Sequence, residues 1–210
     1  AQTDFSQTGF LLYEDFSAGL PTDWFFDPVA DWSVQGNGLV GELLTVGGIG
    51  KAIDQTTACK DCKIETTMTV MTVSSGSRNT ATLIGWFEDD DNHVGLAMDE
   101  FANHWVLFQR VNGVVSSNFA AVDEIVPNVS YELAIRYDGD TFYGDIDGVN
   151  LVQLPKQANT DPIGFAGFET IDNNTRFNDL RVTGDASDFE VLFDGGFEQA
   201  EPVVTNACTF

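Results

Sequence analysis

Six side chains of this sequence combine the aromatic rings and polar groups that proteins use to hold a sugar. The flat faces of a pyranose stack on aromatic rings, while amide, guanidinium and imidazole groups hydrogen-bond its hydroxyls. We therefore predict a ligand-binding set made of Trp86, His93, Trp105, Gln109, Arg136 and Tyr143. The set forms a platform only if its members share one concave sheet face, and bulges that shift strand register leave this open.

Each of these residues also has a purely structural interpretation. Trp86 and Trp105 lie in apolar stretches, so both rings are equally candidates for the core. His93 and His104 begin two strands flanking a hairpin, where a histidine is commonly a hydrogen-bonded surface residue rather than a base or a ligand. Both alternatives remain open at the level of sequence.

The cysteines predict a local disulfide. Cys59 and Cys62 stand as C-K-D-C beside a strand-like stretch. A zinc site would need a second pair of ligands at similar spacing, and a thioredoxin-like redox site would need a helix after the motif; the sequence offers neither. A bond between Cys59 and Cys62 is therefore expected, with Cys208 unpaired unless it takes one of them.

Charge and hydropathy exclude several classes of partner. The 210-residue chain has 9 basic and 33 acidic side chains, a formal net charge of −24. Such a surface repels phosphate backbones and anionic lipid, so we expect no nucleic-acid partner. No apolar run approaches the roughly 20 residues of a membrane span, so we expect no membrane insertion. The start Ala1-Gln2-Thr3 resembles the product of leader cleavage, and together with the cysteines it predicts a secreted, extracellular or periplasmic protein.

The elements that must position these residues are strands. Runs of β-branched and aromatic residues recur about every 8–12 residues, separated by hairpin signals such as Asn112-Gly113 and Asp147-Gly148. This pattern excludes a parallel α/β architecture and favours an antiparallel sandwich or barrel. The predicted strands are Phe10–Glu14, Trp32–Gln35, Leu39–Thr45, Lys63–Val73, Thr80–Glu88, His93–Asp99, His104–Val111, Tyr131–Tyr137, Phe142–Asp147, Ile163–Glu169 and Arg176–Thr183. Composition changes near Gly184, which predicts one domain over 1–184 and an acidic tail over 185–210.

The turns and core positions resemble a known superfamily over nearly the whole domain. The resemblance lies in Glu14-Asp15-Phe16-Ser17, Trp32-Ser33-Val34, Gly85-Trp86-Phe87, Tyr131 to Gly139 and Phe177 to Val182. These stretches are similar to secreted concanavalin A-like lectin/glucanase (laminin-G-like) domains. The resemblance implies an all-β fold, an antiparallel β-sandwich of the concanavalin A-like jelly-roll type. A short stretch of the tail, 191–198, is similar to a C-terminal signature of bacterial exported proteins.

The same resemblance implies a metal site. In related sandwiches the first and last strands lie side by side, and Ca²⁺ ties them together through oxygen ligands. The matching positions here are Glu14, Asp15 and Asp179. A structural calcium ion at these residues is therefore expected.

Enzyme templates of the superfamily fail at their spacing. The laminarinase type carries Glu-x-Asp-x-x-Glu on one strand; here Glu88 to Asp91 form a turn, and Asp145-x-Asp147 lacks the third carboxylate. The lyase type needs contiguous motifs of which this chain has only the residue types. We therefore predict a non-catalytic carbohydrate-binding or surface-interaction module whose partner is a neutral polysaccharide. A lyase or glycoside hydrolase using the concave sheet is the alternative.

Overall fold

A computed structural model of the chain describes residues 8–43, 47–73, 80–158 and 162–185. Every regular element in these residues is a β-strand, arranged in two antiparallel sheets packed face to face. The predicted class, an antiparallel β-sandwich, is confirmed. Of the predicted tail only Asp185 lies within the described residues, so the division at residue 184 stays a prediction. In the described part of the chain no helix is long and apolar enough to cross a membrane.

The first sheet, sheet A, contains nine strands. Its order is β13-β12-β11-β6-β15-β4-β3, and β16 pairs with both β6 and β1. The strands are β1 (Thr8–Glu14), β3 (Ala30–Val34), β4 (Leu39–Leu43), β6 (Cys62–Val73), β11 (Ser130–Tyr137), β12 (Thr141–Ile146), β13 (Val149–Pro155), β15 (Asn173–Phe177) and β16 (Leu180–Asp185).

The second sheet, sheet B, contains seven strands in the order β10-β9-β8-β7-β14-β5-β2. They are β2 (Trp24–Phe26), β5 (Ile49–Asp54), β7 (Thr80–Asp89), β8 (Asn92–Asp99), β9 (His104–Val111), β10 (Val114–Ala121) and β14 (Phe165–Ile171).

The core lies between the sheets, and it consists of the alternate side chains of each strand that point toward the opposite sheet. Trp105 of β9 is 2% exposed and meets Tyr131 of β11 edge to face, with ring centroids 5.3 Å apart. Phe168 of β14 stacks on Phe177 of β15 at 4.1 Å. Because successive side chains of a strand point to opposite faces, these inward contacts fix which residues of sheet B point away from the core.

Four strands of the structure were not predicted, and one predicted strand is broken. β2, β5, β10 and β13 are additional. The stretch Arg176–Thr183 is interrupted at Asn178 and Asp179, because the Asn178 N–H donates to the Thr67 carbonyl and the Asp179 carboxylate accepts the Thr67 N–H. These contacts turn the chain between β15 and β16, which then pair with successive parts of β6.

The predicted disulfide is present. It joins Cys59 and Cys62, both buried at the start of β6. Cys59 also forms an isolated bridge with Gly164, which ties this loop to the segment entering β14. Cys208 lies outside the described residues.

Candidate functional site

The surface of sheet B that points away from the core, here called face B, carries the candidate site. On β9, Trp105, Leu107 and Gln109 point inward and are buried. The alternate residues His104, Val106, Phe108 and Arg110 therefore belong to face B. Strand register adds the residues opposite them, which include His93 on β8 and Phe119 on β10.

Small side chains form the floor of face B. Thr82 and Ala97 point outward, yet they are only 0% and 5% exposed. Gly95 has the same orientation, and a Cβ atom there would lie 2.4 Å from the Phe108 ring. Glycine at this position therefore allows Phe108 to lie across β8. Because Thr82 and Ala97 point outward and are nevertheless buried, neighbouring side chains and turns must cover them.

A cluster of ion-paired side chains borders one side of the floor. Lys51 of β5 places its Nζ 3.0 Å from Asp90 and 3.5 Å from Glu169 of β14. The Thr82 hydroxyl donates to Glu169 at 3.4 Å. Burial raises the pKa of the Glu169 carboxyl, and the charge and hydrogen bond of Lys51 oppose that shift. Asp90 belongs to the β7–β8 turn, so this group also holds the turn against the face.

A pocket of about 230 Å³ lies where β7, β8 and β9 end. It brings together three of the predicted ligand residues, Trp86, His93 and Gln109, and adds Arg110, which the prediction did not include. Its remaining lining is Glu88, Asn92, Val94, Val111, Asn112, Pro162 and Ile163.

A bulge in β7 places Trp86 in this pocket. The register shifts between Gly85 and Asp89, and Trp86 has a positive φ of 49°. The indole consequently points toward sheet A and packs on Phe142, and its Nε1–H donates to the Lys60 carbonyl at 2.6 Å. One edge of the ring lines the pocket, but the ring is 2% exposed and its main role is packing.

His93 is held rigidly between two rings. It contacts Phe87 and Phe108 at centroid distances of 5.7 and 5.6 Å, and its Nδ1–H donates to the Asp89 carbonyl at 3.1 Å. Burial is the main cause that lowers the pKa of His93, and the nearby charges of Lys51 and Arg110 add to it. The imidazole is therefore neutral at pH 7, and its Nε2 is an acceptor.

The lowered pKa of His93 predicts a pH-dependent stability. In the unfolded chain the imidazole takes up a proton near pH 6.5, whereas the folded protein resists protonation to lower pH. The free energy of unfolding is therefore fully retained above about pH 6.5 and falls below it, by at most about 1.4 kcal/mol per pH unit for one proton.

Urea titrations between about pH 7.5 and pH 5.5, where histidine is the main titrating group, test this expectation. His93→Gln is expected to flatten the dependence, and His104→Gln, which leaves His93 in place, is expected to retain it. An unchanged slope in His93→Gln would show that another group is responsible.

Arg110 is the cation of the site that forms no ion pair among the described residues. Its Nε is buried without a hydrogen-bond partner in the described part of the chain, and its guanidinium forms no ion pair there. The other cation on this face, Lys51, is neutralised by Asp90 and Glu169. Arg110 therefore offers charged donors to a molecule in the pocket.

An aromatic pair with one exposed ring lies at the opposite end of face B. Phe119 of β10 is 59% exposed and stacks on His104 of β9 with centroids 4.6 Å apart. The prediction missed Phe119 because β10 was not recognised as a strand. The signal was available, since the hairpin turn Asn112-Gly113 implies a returning strand whose register would bring residue 119 beside the His104–Val106 segment.

The predicted platform of six residues does not form. Trp105 is a core residue, so its ring cannot stack on a sugar. Arg136 and Tyr143 lie on the outer surface of sheet A, away from Gln109 and His93. There the Arg136 guanidinium pairs with Asp145 at 2.8 Å and covers the Tyr143 ring at 4.2 Å. Because successive side chains of a strand point to opposite faces, the six predicted residues are distributed among the core, face B and the outer surface of sheet A.

The predicted calcium ligands are not gathered into a site. The first and last strands, β1 and β16, do pair, as expected. However, Glu14 and Asp15 each accept the backbone N–H two residues ahead, and Asp179 is held by the Thr67 N–H and by Arg181 at 3.1 Å. Among the residues that the structure describes, no group of three or more His, Cys, Asp or Glu side chains could hold a metal ion.

Comparison with known proteins identifies the fold. No family model and no curated sequence matches the chain. Among solved structures, the carbohydrate-binding module CBM66 from Bacillus subtilis superposes with a TM-score of 0.66 at 19% identity, over 78% of this chain and 96% of that one. A β-glucanase from Bacillus licheniformis gives 0.63 at 11% identity, over 86% and 100% of the two chains. The exoplasmic/lumenal domain of VIP36, in its Ca²⁺/Man3GlcNAc-bound form, gives 0.63 at 10% identity, over 84% and 90%.

At these identities the likeness establishes architecture. The chain is a jelly-roll β-sandwich of the concanavalin A-like type, as the resemblance in the sequence implied.

Proposed function

We propose that this protein binds carbohydrate across face B and does not turn it over. One observation carries the proposal: the aromatic pair His104 and Phe119 lies at one end of face B, and Arg110, which lines a polar pocket and has no ion pair among the described residues, lies at the other end of that face. Aromatic rings for stacking and a few convergent polar groups are what sugar-binding surfaces need.

The dimensions of face B suit a chain of sugar rings. His104 and Arg110 are six residues apart on β9, which corresponds to about 20 Å at the usual rise of a strand. Between them face B carries Val106 and Phe108 of β9 beside the small residues Ala97 and Gly95 of β8, and the Phe108 ring lies across Gly95. An oligosaccharide of several units can therefore contact both ends at once.

The structural neighbours support the same chemistry. A carbohydrate-binding module, a β-glucanase and a domain in a Man3GlcNAc-bound form share this architecture. A shared fold hosts many functions, so this support is secondary to the surface itself.

The arrangement of charges favours binding over hydrolysis. Glycosidases use two carboxyl groups about 5–5.5 Å or 6.5–9.5 Å apart, with the sugar or a water between them. On face B two of the acids, Glu169 and Asp90, both contact the ammonium group of Lys51. Both carboxylates are therefore engaged by an ammonium group rather than free for acid–base chemistry. A glycan-active enzyme remains the rival, and it would release new reducing ends or unsaturated products.

The ligand best suited to this surface is a neutral polysaccharide, bound outside the cytoplasm. The chain carries a net charge of −24, and the acidic β7–β8 turn, with Glu88 in the wall, borders the pocket. These groups would repel an anionic glycan, whereas a neutral glycan experiences no such electrostatic repulsion. A shallow, solvated surface of this kind predicts affinities in the micromolar to millimolar range.

Phe119→Ala tests the aromatic end. Loss of stacking is expected to weaken binding of a neutral β-linked oligosaccharide about twofold to tenfold, the equivalent of about 0.5–1.5 kcal/mol, without changing the melting temperature. Titration calorimetry or affinity electrophoresis measures the change. Tyr13→Ala, which removes an aromatic ring 57% exposed on sheet A, is the control and is expected to bind normally. Equal affinity of Phe119→Ala and the parent protein would contradict the assignment.

A further inference from the structure

Two edge strands on one side of the sandwich lack the charged side chains that exposed edges usually carry, although β13 ends at Pro155 and its pairing with β12 contains a bulge. β10 ends sheet B and β13 ends sheet A, and within the described residues neither pairs with a strand on its outer side. The two edges are adjacent, since Asn118 donates to the Gln153 carbonyl at 3.0 Å and Gln157 donates to the Ser116 hydroxyl at 2.7 Å.

Neither strand contains Asp, Glu, Lys or Arg, although 20% of the chain is charged. Their exposed side chains are instead largely apolar: Val114 65%, Val115 49%, Phe119 59%, Val149 57% and Leu151 39%. Natural edge strands are normally short, charged or interrupted, because their free N–H and C=O groups otherwise pair with other chains.

The opposite side of the sandwich shows that protection. β2 ends sheet B there and is only three residues long, with Asp23 and Asp27 at its two ends. β3 ends sheet A and carries the exposed Asp31. The contrast between the two sides identifies the β10/β13 edge as a surface suited to association.

We infer that the partner of the β10/β13 edge is a second copy of this chain. Two molecules that each carry −24 repel one another over most of their surface. They can approach closely only where charge is absent, and a charge-free edge is what self-association of so acidic a chain requires. A different partner would meet no such restriction, because a basic protein could bind any acidic part of the surface.

The geometry is self-complementary. A two-fold axis perpendicular to the sheets pairs β10 antiparallel with its own copy and places β13 beside its own copy, so the same patch serves both molecules. Sheet B then continues across the dimer, and the two copies of face B lie side by side on one surface. Such a dimer would engage a polysaccharide at two places, although its formation does not depend on carbohydrate binding.

Sedimentation equilibrium of the whole chain over low to high micromolar concentrations tests the inference. The mass is expected to rise from 22.9 kDa toward twice that value. The rise should occur at lower protein concentration in about 0.5 M salt than in about 0.15 M salt, because salt screens the mutual repulsion.

Charge placed on the edge is expected to abolish the association. Val115→Glu adds a negative charge to this edge in each copy, and Ser117→Lys introduces the residue that commonly protects natural edges; each should shift dimerisation to at least tenfold higher concentration. Val129→Glu is the matched control, because Val129 is 41% exposed outside both edge strands. It should dimerise like the parent protein, and all three variants should melt as it does. A mass of 22.9 kDa at every concentration, or equal weakening by Val129→Glu, would overturn the inference.

Discussion

Trp105→Ala is expected to lower the free energy of unfolding by about 3–5 kcal/mol, the usual cost of deleting a large aromatic side chain from a core. Trp105 is 2% exposed and is among the largest fully buried side chains of the described residues. It lies between β9 and β11 against Tyr131, so its removal leaves a cavity between the two sheets. Chemical denaturation of the parent protein and the variant measures the difference.

The same variant separates packing from binding. Because the Trp105 ring does not reach face B, the variant should retain its affinity for oligosaccharide at temperatures where it is still folded. Phe119→Ala should show the opposite behaviour, with normal stability and weakened binding. Normal stability of Trp105→Ala together with lost binding would show that the ring is a sugar platform after all.

Arg110→Met is expected to weaken carbohydrate binding about tenfold to a hundredfold. Hydrogen bonds from a charged donor contribute about 1.5–3 kcal/mol each, and Arg110 has no ion-pair partner among the described residues that would retain its guanidinium. Methionine keeps the apolar stem and removes the donors. Stability should change less than binding, because Arg110 forms no ion pair among the described residues and its charge acts on Glu169 and His93 only as a minor contribution beside burial.

Arg176→Met provides a matched control for this effect. Arg176 also has a buried Nε without a hydrogen-bond partner in the described residues, but it belongs to β15 in sheet A. Affinity electrophoresis against the same polysaccharide should therefore show a large change for Arg110→Met and none for Arg176→Met. Equal losses would indicate a general effect of positive charge rather than a site on face B.

The sequence determined the fold class because its signals are local. Alternation of side chains and Asn-Gly or Asp-Gly turns depend on neighbouring residues, and they were sufficient to predict an antiparallel sandwich. The Cys59–Cys62 bond was predictable for the same reason, since it closes a loop within one turn. β10 was not predicted because Val114–Ala121 has two apolar ends and a polar centre, which is not the regular alternation of apolar and polar residues that predicts a strand.

The candidate site was only partly predictable because it depends on which face each residue occupies. The bulge at Trp86 changes the parity of β7 after Gly85, and no local signal shows it. Arg136 and His93 are both polar residues of predicted strands, yet they lie on different sheets. Arg110 is a candidate because its Nε has no hydrogen-bond partner among the residues that the structure describes, which only the folded arrangement reveals.

The most direct test of carbohydrate binding on face B is amide chemical-shift mapping during titration with a neutral β-linked oligosaccharide. Perturbed amides are predicted to cluster on β8, β9 and β10 and on the segment around Pro162 and Ile163, with no new reducing ends in the sample. Perturbations centred instead on Arg136 and Tyr143 of sheet A, or cleavage of the oligosaccharide during the titration, would contradict the account.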